Sequence, residues 1–167
     1  SVAGNLRGSV AGSTWLNAAN SSLSVTGVLL NKGTLTATES PNTVTYSGAA
    51  QTGKATTYSN LVIAGSGAKT TTGVTVTDTL SRQGTATATA APTYQSNSVV
   101  EYKGSAAQTT GPEFPSPMTA TVLINNVNGV TLNAAKTIDD SLIVRAGSLS
   151  DGGFQITHGG RVLQARV

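Results

Sequence analysis

The chain of 167 residues is long enough for one domain with a real core, but only 4% of it is aromatic, so that core has to come from Val, Leu, Ile and Ala. A formal net charge of +3 disfavours disorder, and the cations Lys32, Lys54, Lys69, Arg82, Lys103, Lys136 and Arg145 stand singly along the sequence, which excludes a basic tract that would track a nucleic-acid backbone. With no cysteine there are no disulfides or thiolate metal sites, and no apolar run approaches membrane-spanning length.

The counts of 16 Val, 5 Ile and 27 Thr give a β-branched chain with few helix formers outside Ala, which predicts strands throughout. Residues 1–17 carry only a loose version of the pattern that follows. In GTLTATE (33–39), Thr34, Thr36 and Thr38 share one face, while Leu35 and Ala37 point the other way. TVTYSG and NLVIAG follow as short strands. In GVTVTDTL (73–80), Val74, Val76 and Leu80 line one face and Thr75, Thr77 and Thr79 the opposite one. GTATATAAP (84–92) places Thr85, Thr87 and Thr89 together. SVVEYKG, TATVLINN, GVTLNA and FQITHGG complete the series. Gly, Asn or Pro closes each strand and supplies its turn.

The series also repeats. VTGVLLNKGTLTATESP (25–41) lies on VTDTLSRQGTATATAAP (76–92) without a gap and with nine of seventeen positions identical. TVTYSGAAQT (43–52) returns as VVEYKGSAAQT (99–109), pairing Tyr46 with Tyr102, and Tyr58 then falls opposite Phe114. NLVIAGSG (60–67) is echoed by TVLINNVN (121–128). IDDSLIVRAGSLSDGG (138–153) restates the second copy with Ile138, Asp140 and Leu142 at the places of Val76, Asp78 and Leu80. The expectation is an all-β, right-handed parallel β-helix (β-solenoid) of about two and a half internal repeats, at 23–73, 74–135 and a truncated 136–158. Residues 1–17 and 159–167 are its atypical terminal segments.

The runs NTVTYSGAAQT, VVEYKGSAAQTTGPEFP and VLINNVNGVTLNA, with the Gly-Thr-Leu-Thr strand, resemble repeats of large secreted or surface-anchored bacterial proteins, many from Bacteroidota, that form parallel β-helices. The resemblance covers about residues 20 to 157. It implies a stalk, adhesin or passenger role, on the cell surface or secreted, and its motifs carry no activity.

No constellation in the sequence points to catalysis. The acids are Glu39, Asp78, Glu101, Glu113, Asp139, Asp140 and Asp151. Asp139 and Asp140 are neighbours that a strand would aim to opposite sides, which does not make a catalytic pair. His158 is the only histidine. Asp151-Gly152-Gly153 is a fragment of a calcium-repeat pattern and reads as a turn. No cofactor or metal is implied. Trp15, Tyr46, Tyr58, Tyr94, Tyr102 and Phe114 could form a sugar-binding strip, but the matching places of Tyr46/Tyr102 and Tyr58/Phe114 point to ring-on-ring stacking between coils. Thr34, Thr36, Thr38, Thr85, Thr87 and Thr89 could order water or bind a surface if their ranks stack; otherwise threonine is simply the polar β-branched residue of an exposed strand.

These readings lead to a non-enzymatic, extracellular structural or adhesive module. Its partners would be copies of itself stacked end to end, or neighbouring repeats of a longer chain. In that case deletion of residues 1–17 abolishes assembly. The alternative is a module that binds polysaccharide or ice on one flat face.

Overall fold

The computed structural model describes residues 1–159 and the backbone of residues 161–164; residues 160 and 165–167, four of the nine in the expected C-terminal segment, lie outside the described part. Among the described residues there is no helix. The chain winds through about seven turns of a parallel β-solenoid with three faces.

The first face carries the long ladder. It runs through Ser22–Val25, Thr43–Tyr46, residues 60–63, residues 79–82, Val99–Tyr102, residues 121–124, residues 141–144 and Arg161–Gln164, each paired in parallel with the next. The second face holds Gln51–Thr52, Ala68–Thr70, Thr87–Ala88 and Gln108–Thr109, followed by residues 130–131 and 149–150. The third holds Thr14–Leu16, Thr34–Thr36, residues 57–58 and 75–76, Thr93–Tyr94, Lys136–Ile138 and Ile156–His158. Four strands wrap a corner instead of ending at it. Thr57–Ile63 and Thr75–Arg82 pass from the third face to the first, and Thr121–Thr131 and Ser141–Ser150 from the first to the second.

Period-2 alternation decides what is buried. On the first face one inward column reads Leu23, Val44, Leu61, Leu80, Val100, Val122 and Leu142, with each residue registered on the next. All seven are buried. A second inward column two positions on contains Val25, Tyr46, Ile63, Arg82, Tyr102 and Ile124. One turn takes as few as 17 residues (Val44 to Leu61) and as many as 22 (Val100 to Val122), so the corners absorb the variation.

This register shows what the internal repeat is. Tyr46 and Tyr102 stand at the same place on the first face with Ile63 and Arg82 between them, and Leu80 reaches Leu142 through Val100 and Val122. The sequence period is therefore three turns. The gapless match of 25–41 to 76–92 does not follow whole turns: Val25 is on the first face beside Tyr46, and Val76 is on the third beside Tyr58 and Tyr94. A strand, a glycine corner and a second strand look alike in sequence whichever two faces they join.

Candidate functional site

Most of the chemistry-bearing side chains point inward. In the sixth turn, residues 110–117 form a loop where a third-face strand would otherwise lie, and it turns Glu113 and Phe114 into the core. Glu113 Oε1 accepts hydrogen bonds from Arg82 Nη1 (2.9 Å), the Tyr102 hydroxyl (3.0 Å) and the Gly111 amide (2.9 Å). The Tyr94 hydroxyl donates to the Glu113 carbonyl at 2.7 Å. Arg82 also donates through Nε to Ala86 O (2.7 Å) and through Nη1 to Thr109 O, and its guanidinium lies 5.8 Å from the Tyr102 ring centroid. Lys136 Nζ donates to Phe114 O and stands 5.0 Å from the centre of that ring. Burial, with the Glu113 charge alongside, pushes the phenols of Tyr94 and Tyr102 well above their ordinary range. Burial also pulls the Lys136 ammonium down, an effect that Glu113 opposes. Glu113 and Tyr102 have no exposed surface, so this cluster is closed to a substrate. Its role is to hold the inward loop against two neighbouring turns.

Two further devices close the corner between the first and second faces. Gln51 Nε2 donates to Val25 O (3.0 Å) and Gly27 O (2.7 Å) of the preceding turn, while its Oε1 accepts from Gly48 N (2.7 Å). Gln108 repeats the device three turns later, donating to Arg82 O (3.2 Å) and Gly84 O (3.3 Å). This explains the shared Gly…Ala-Gln-Thr of the two copies: a Cβ on Gly48 would come within 2.0 Å of Thr26 O. Lys69 plugs the next turn of the same corner, with Nζ donating to Gly48 O (2.9 Å), Ser66 O (2.7 Å) and Ala49 O. Burial lowers its pKa.

The aromatic pairs expected to stack do not meet, because each pair is three turns apart. Tyr46 packs edge-on against Tyr58, 6.5 Å between centroids at 74°, with the hydroxyls 2.9 Å apart. Both hydroxyls also engage Lys54, Tyr46 accepting from its amide and Tyr58 donating to its carbonyl. Tyr102 and Phe114 belong instead to the Glu113 cluster. All four rings are buried and form no outward strip.

The two threonine triplets also separate. Thr34 and Thr36 are on the third face and Thr38 just beyond it, whereas Thr85, Thr87 and Thr89 belong to the second. Threonines do stack, but with other partners. On the third face Thr57, Thr75 and Thr93 are in direct register, and the Ala37–Tyr58 bridge brings Thr36 beside Thr57. On the second face Thr52 pairs with Thr70, and the Lys69–Ala88 pairing puts Thr89 next in line. Thr87 falls beside Ala68, so that array is one threonine wide.

A recess opens between the second and third turns. Residues 27–31 bond back to the first turn, through Gly27 N to Gly4 O (2.7 Å) and Leu30 N to Leu6 O (2.6 Å). Gln51–Thr52 pairs forward with Lys69 and Thr70. Among the described residues no backbone hydrogen bond joins 28–31 to 50–53. The gap is an open cleft of about 430 Å³ whose lining includes Asn5, Leu30, Asn31, Thr52 and Lys54. Leu30 has φ +49°, a left-handed conformation that a bulky side chain rarely adopts.

Of the remaining acids, Asp140 accepts from Thr121 Oγ1 (2.8 Å), and Glu101 accepts from Ser81 Oγ (2.9 Å) and Asn125 Nδ2 (2.8 Å) on the outer side of the first face. His158 is on the third face in register with Ile138. Among the described residues no three His, Cys, Asp or Glu side chains gather to hold a metal, and no helix is long and apolar enough to cross a membrane. Compared with protein-family models, curated proteins and solved structures, the chain matches none.

Proposed function

We propose that this solenoid is a non-enzymatic, extracellular structural module: a stiff rod whose end turns pair with further parallel β-turns, either of a second copy or of flanking chain. The observation that carries this reading is the unbroken first-face ladder, eight parallel strands in register. At ~4.8 Å per step the ladder is about 34 Å long. Stiffness follows from backbone hydrogen bonds along the axis and from inward columns that stack Val, Leu and Ile on one another. The first turn supports the pairing of end turns. Trp15 occupies an inward place registered on Leu35 yet is 38% exposed. A further turn would cover that surface. The extracellular assignment rests on composition alone, with little charge and abundant Thr, Ser, Gly and Asn.

A tandem of two copies joined head to tail tests the rod. The expected result is a scattering envelope lengthened by about 38 Å, eight further steps of ~4.8 Å, and a single unfolding transition at a higher midpoint than one copy shows. Two independent transitions at the single-copy midpoint, with a flexible dumbbell envelope, would sink it. Light scattering of the single chain across a dilution series identifies the neighbour: mass that grows with concentration assigns it to second copies, and constant mass to flanking chain.

A further inference from the structure

The break between the second and third turns lies beside cations from three successive turns. Arg7 follows Leu6, which bonds to residues 28–30 of the next turn through Leu6 N to Val28 O (2.8 Å) and Leu30 N to Leu6 O (2.6 Å). Lys32 lies one step further along that contact, where a Cβ on Gly8 would come within 2.0 Å of its carbonyl oxygen. Lys54, in the third turn, reaches back with Nζ to Gly33 O at 2.8 Å and lines the cleft. Arg7 and Lys32 are exposed. The one ion pair among the described residues is Arg82–Glu113, so no carboxylate neutralises any of the three. The cleft beside them offers Asn5, Asn31 and Thr52, together with the strand edges that the broken ladder leaves. The strained Leu30 backbone holds its wall, and strain of this kind collects at ligand-binding positions.

We propose that this cleft and its cationic corner bind a carboxylated polysaccharide, a chain of uronic acid units. Three cations from three successive turns, none paired with a carboxylate, suit a polymer that carries one carboxylate per unit, and the amide and hydroxyl side chains of the cleft suit its hydroxyl groups. Single-stranded nucleic acid is disfavoured because no aromatic ring lines the cleft to stack a base. A membrane surface is disfavoured because the site is a recess with a single exposed large apolar side chain, Val28, in its lining.

The test is native-gel affinity electrophoresis of the whole chain in gels containing polygalacturonate. The chain is expected to be retarded, and less so as salt rises. Neutralising Arg7→Gln with Lys32→Gln removes two exposed charges whose side chains make no hydrogen bond among the described residues, and should weaken binding about tenfold or more, the scale of one or two charge-assisted contacts. Lys103→Gln with Arg145→Gln removes the same net charge from exposed positions elsewhere and should leave binding unchanged. No retardation of the native chain overturns the proposal. So does an equal loss in both double variants, and so does retardation by duplex DNA or binding to phosphatidylglycerol vesicles without retardation by polygalacturonate.

Discussion

Gln51 and Gln108 illustrate how single buried polar side chains set the cross-section of the rod. Each turns inward at a corner, adds a second donor to a ladder carbonyl (Val25 O or Arg82 O) and supplies one to the glycine carbonyl two residues on (Gly27 O or Gly84 O). Replacing Gln51 by Ala leaves Val25 O, Gly27 O and Gly48 N without that partner, and should cost about 2 kcal/mol in denaturant unfolding. The same change at exposed Gln95, whose side chain makes no hydrogen bond, should be near neutral. Glu113 is a harsher case, because it faces a buried guanidinium. Glu113→Gln keeps the shape but leaves Arg82 unpaired in the core, and should lose about 3 kcal/mol. Glu101→Gln, on the outer side, should lose under about 1 kcal/mol. Equal losses at 113 and 101 would show that the ion pair is not what holds the inward loop. The glutamines could be read in the sequence, since both copies carry Ala-Gln-Thr after a glycine corner. Glu113 could not: its partner Arg82 is 31 residues away, and only the three-turn stacking brings them together.

At the scale of the element, strands are rigid in register while corners are free in length. Turns of 17 to 22 residues coexist in one ladder, because loop closure costs little per added residue whereas a one-residue slip exchanges the faces of a strand. Inserting one residue between Val100 and Glu101 should therefore turn Tyr102 outward, break the Glu113 cluster and abolish the folded circular dichroism spectrum. A Gly-Ser insertion between the exposed Glu39 and Ser40, at a corner, should cost under about 1 kcal/mol. If both insertions are tolerated alike, the inward columns do not specify the register. The same freedom explains why the threonine triplets and the aromatic pairs part company. A match over seventeen residues shows that two strand–corner–strand units are alike, but which face each unit occupies depends on all the corner lengths before it.

For the whole molecule, the packing of all four tyrosines in one continuous core links stability to alkaline pH. Burial raises the pKa of Tyr46, Tyr58, Tyr94 and Tyr102 above the ordinary value of about 10. The unfolded chain then gives up these protons first, so the stabilisation is complete below about pH 10 and is lost as pH rises through the folded values. Lys69 and Lys136, lowered by burial, act with the opposite sign: their share of stability grows as pH rises toward 10.5 and falls off below their folded values. Above about pH 10.5 the ammonium contribution no longer changes, so a further rise in pH acts through the phenols. Base unfolding should be cooperative, with tyrosinate absorbance appearing only as the β-sheet signal disappears. Tyrosinate forming within an intact fold would contradict the burial of the rings.

Alternation of Val, Leu and Thr every second residue is a local property, written in adjacent positions. The strands, their inward and outward sides, the all-β class and the solenoid were therefore determined by the sequence alone. Stacking is not local. The partner of a residue lies 17 to 22 positions away, at a distance set by corners with no uniform length. The tertiary structure alone therefore decided that the sequence repeat spans three turns, that Arg82 meets Glu113, and that Arg7, Lys32 and Lys54, isolated along the chain, share one corner beside an open cleft.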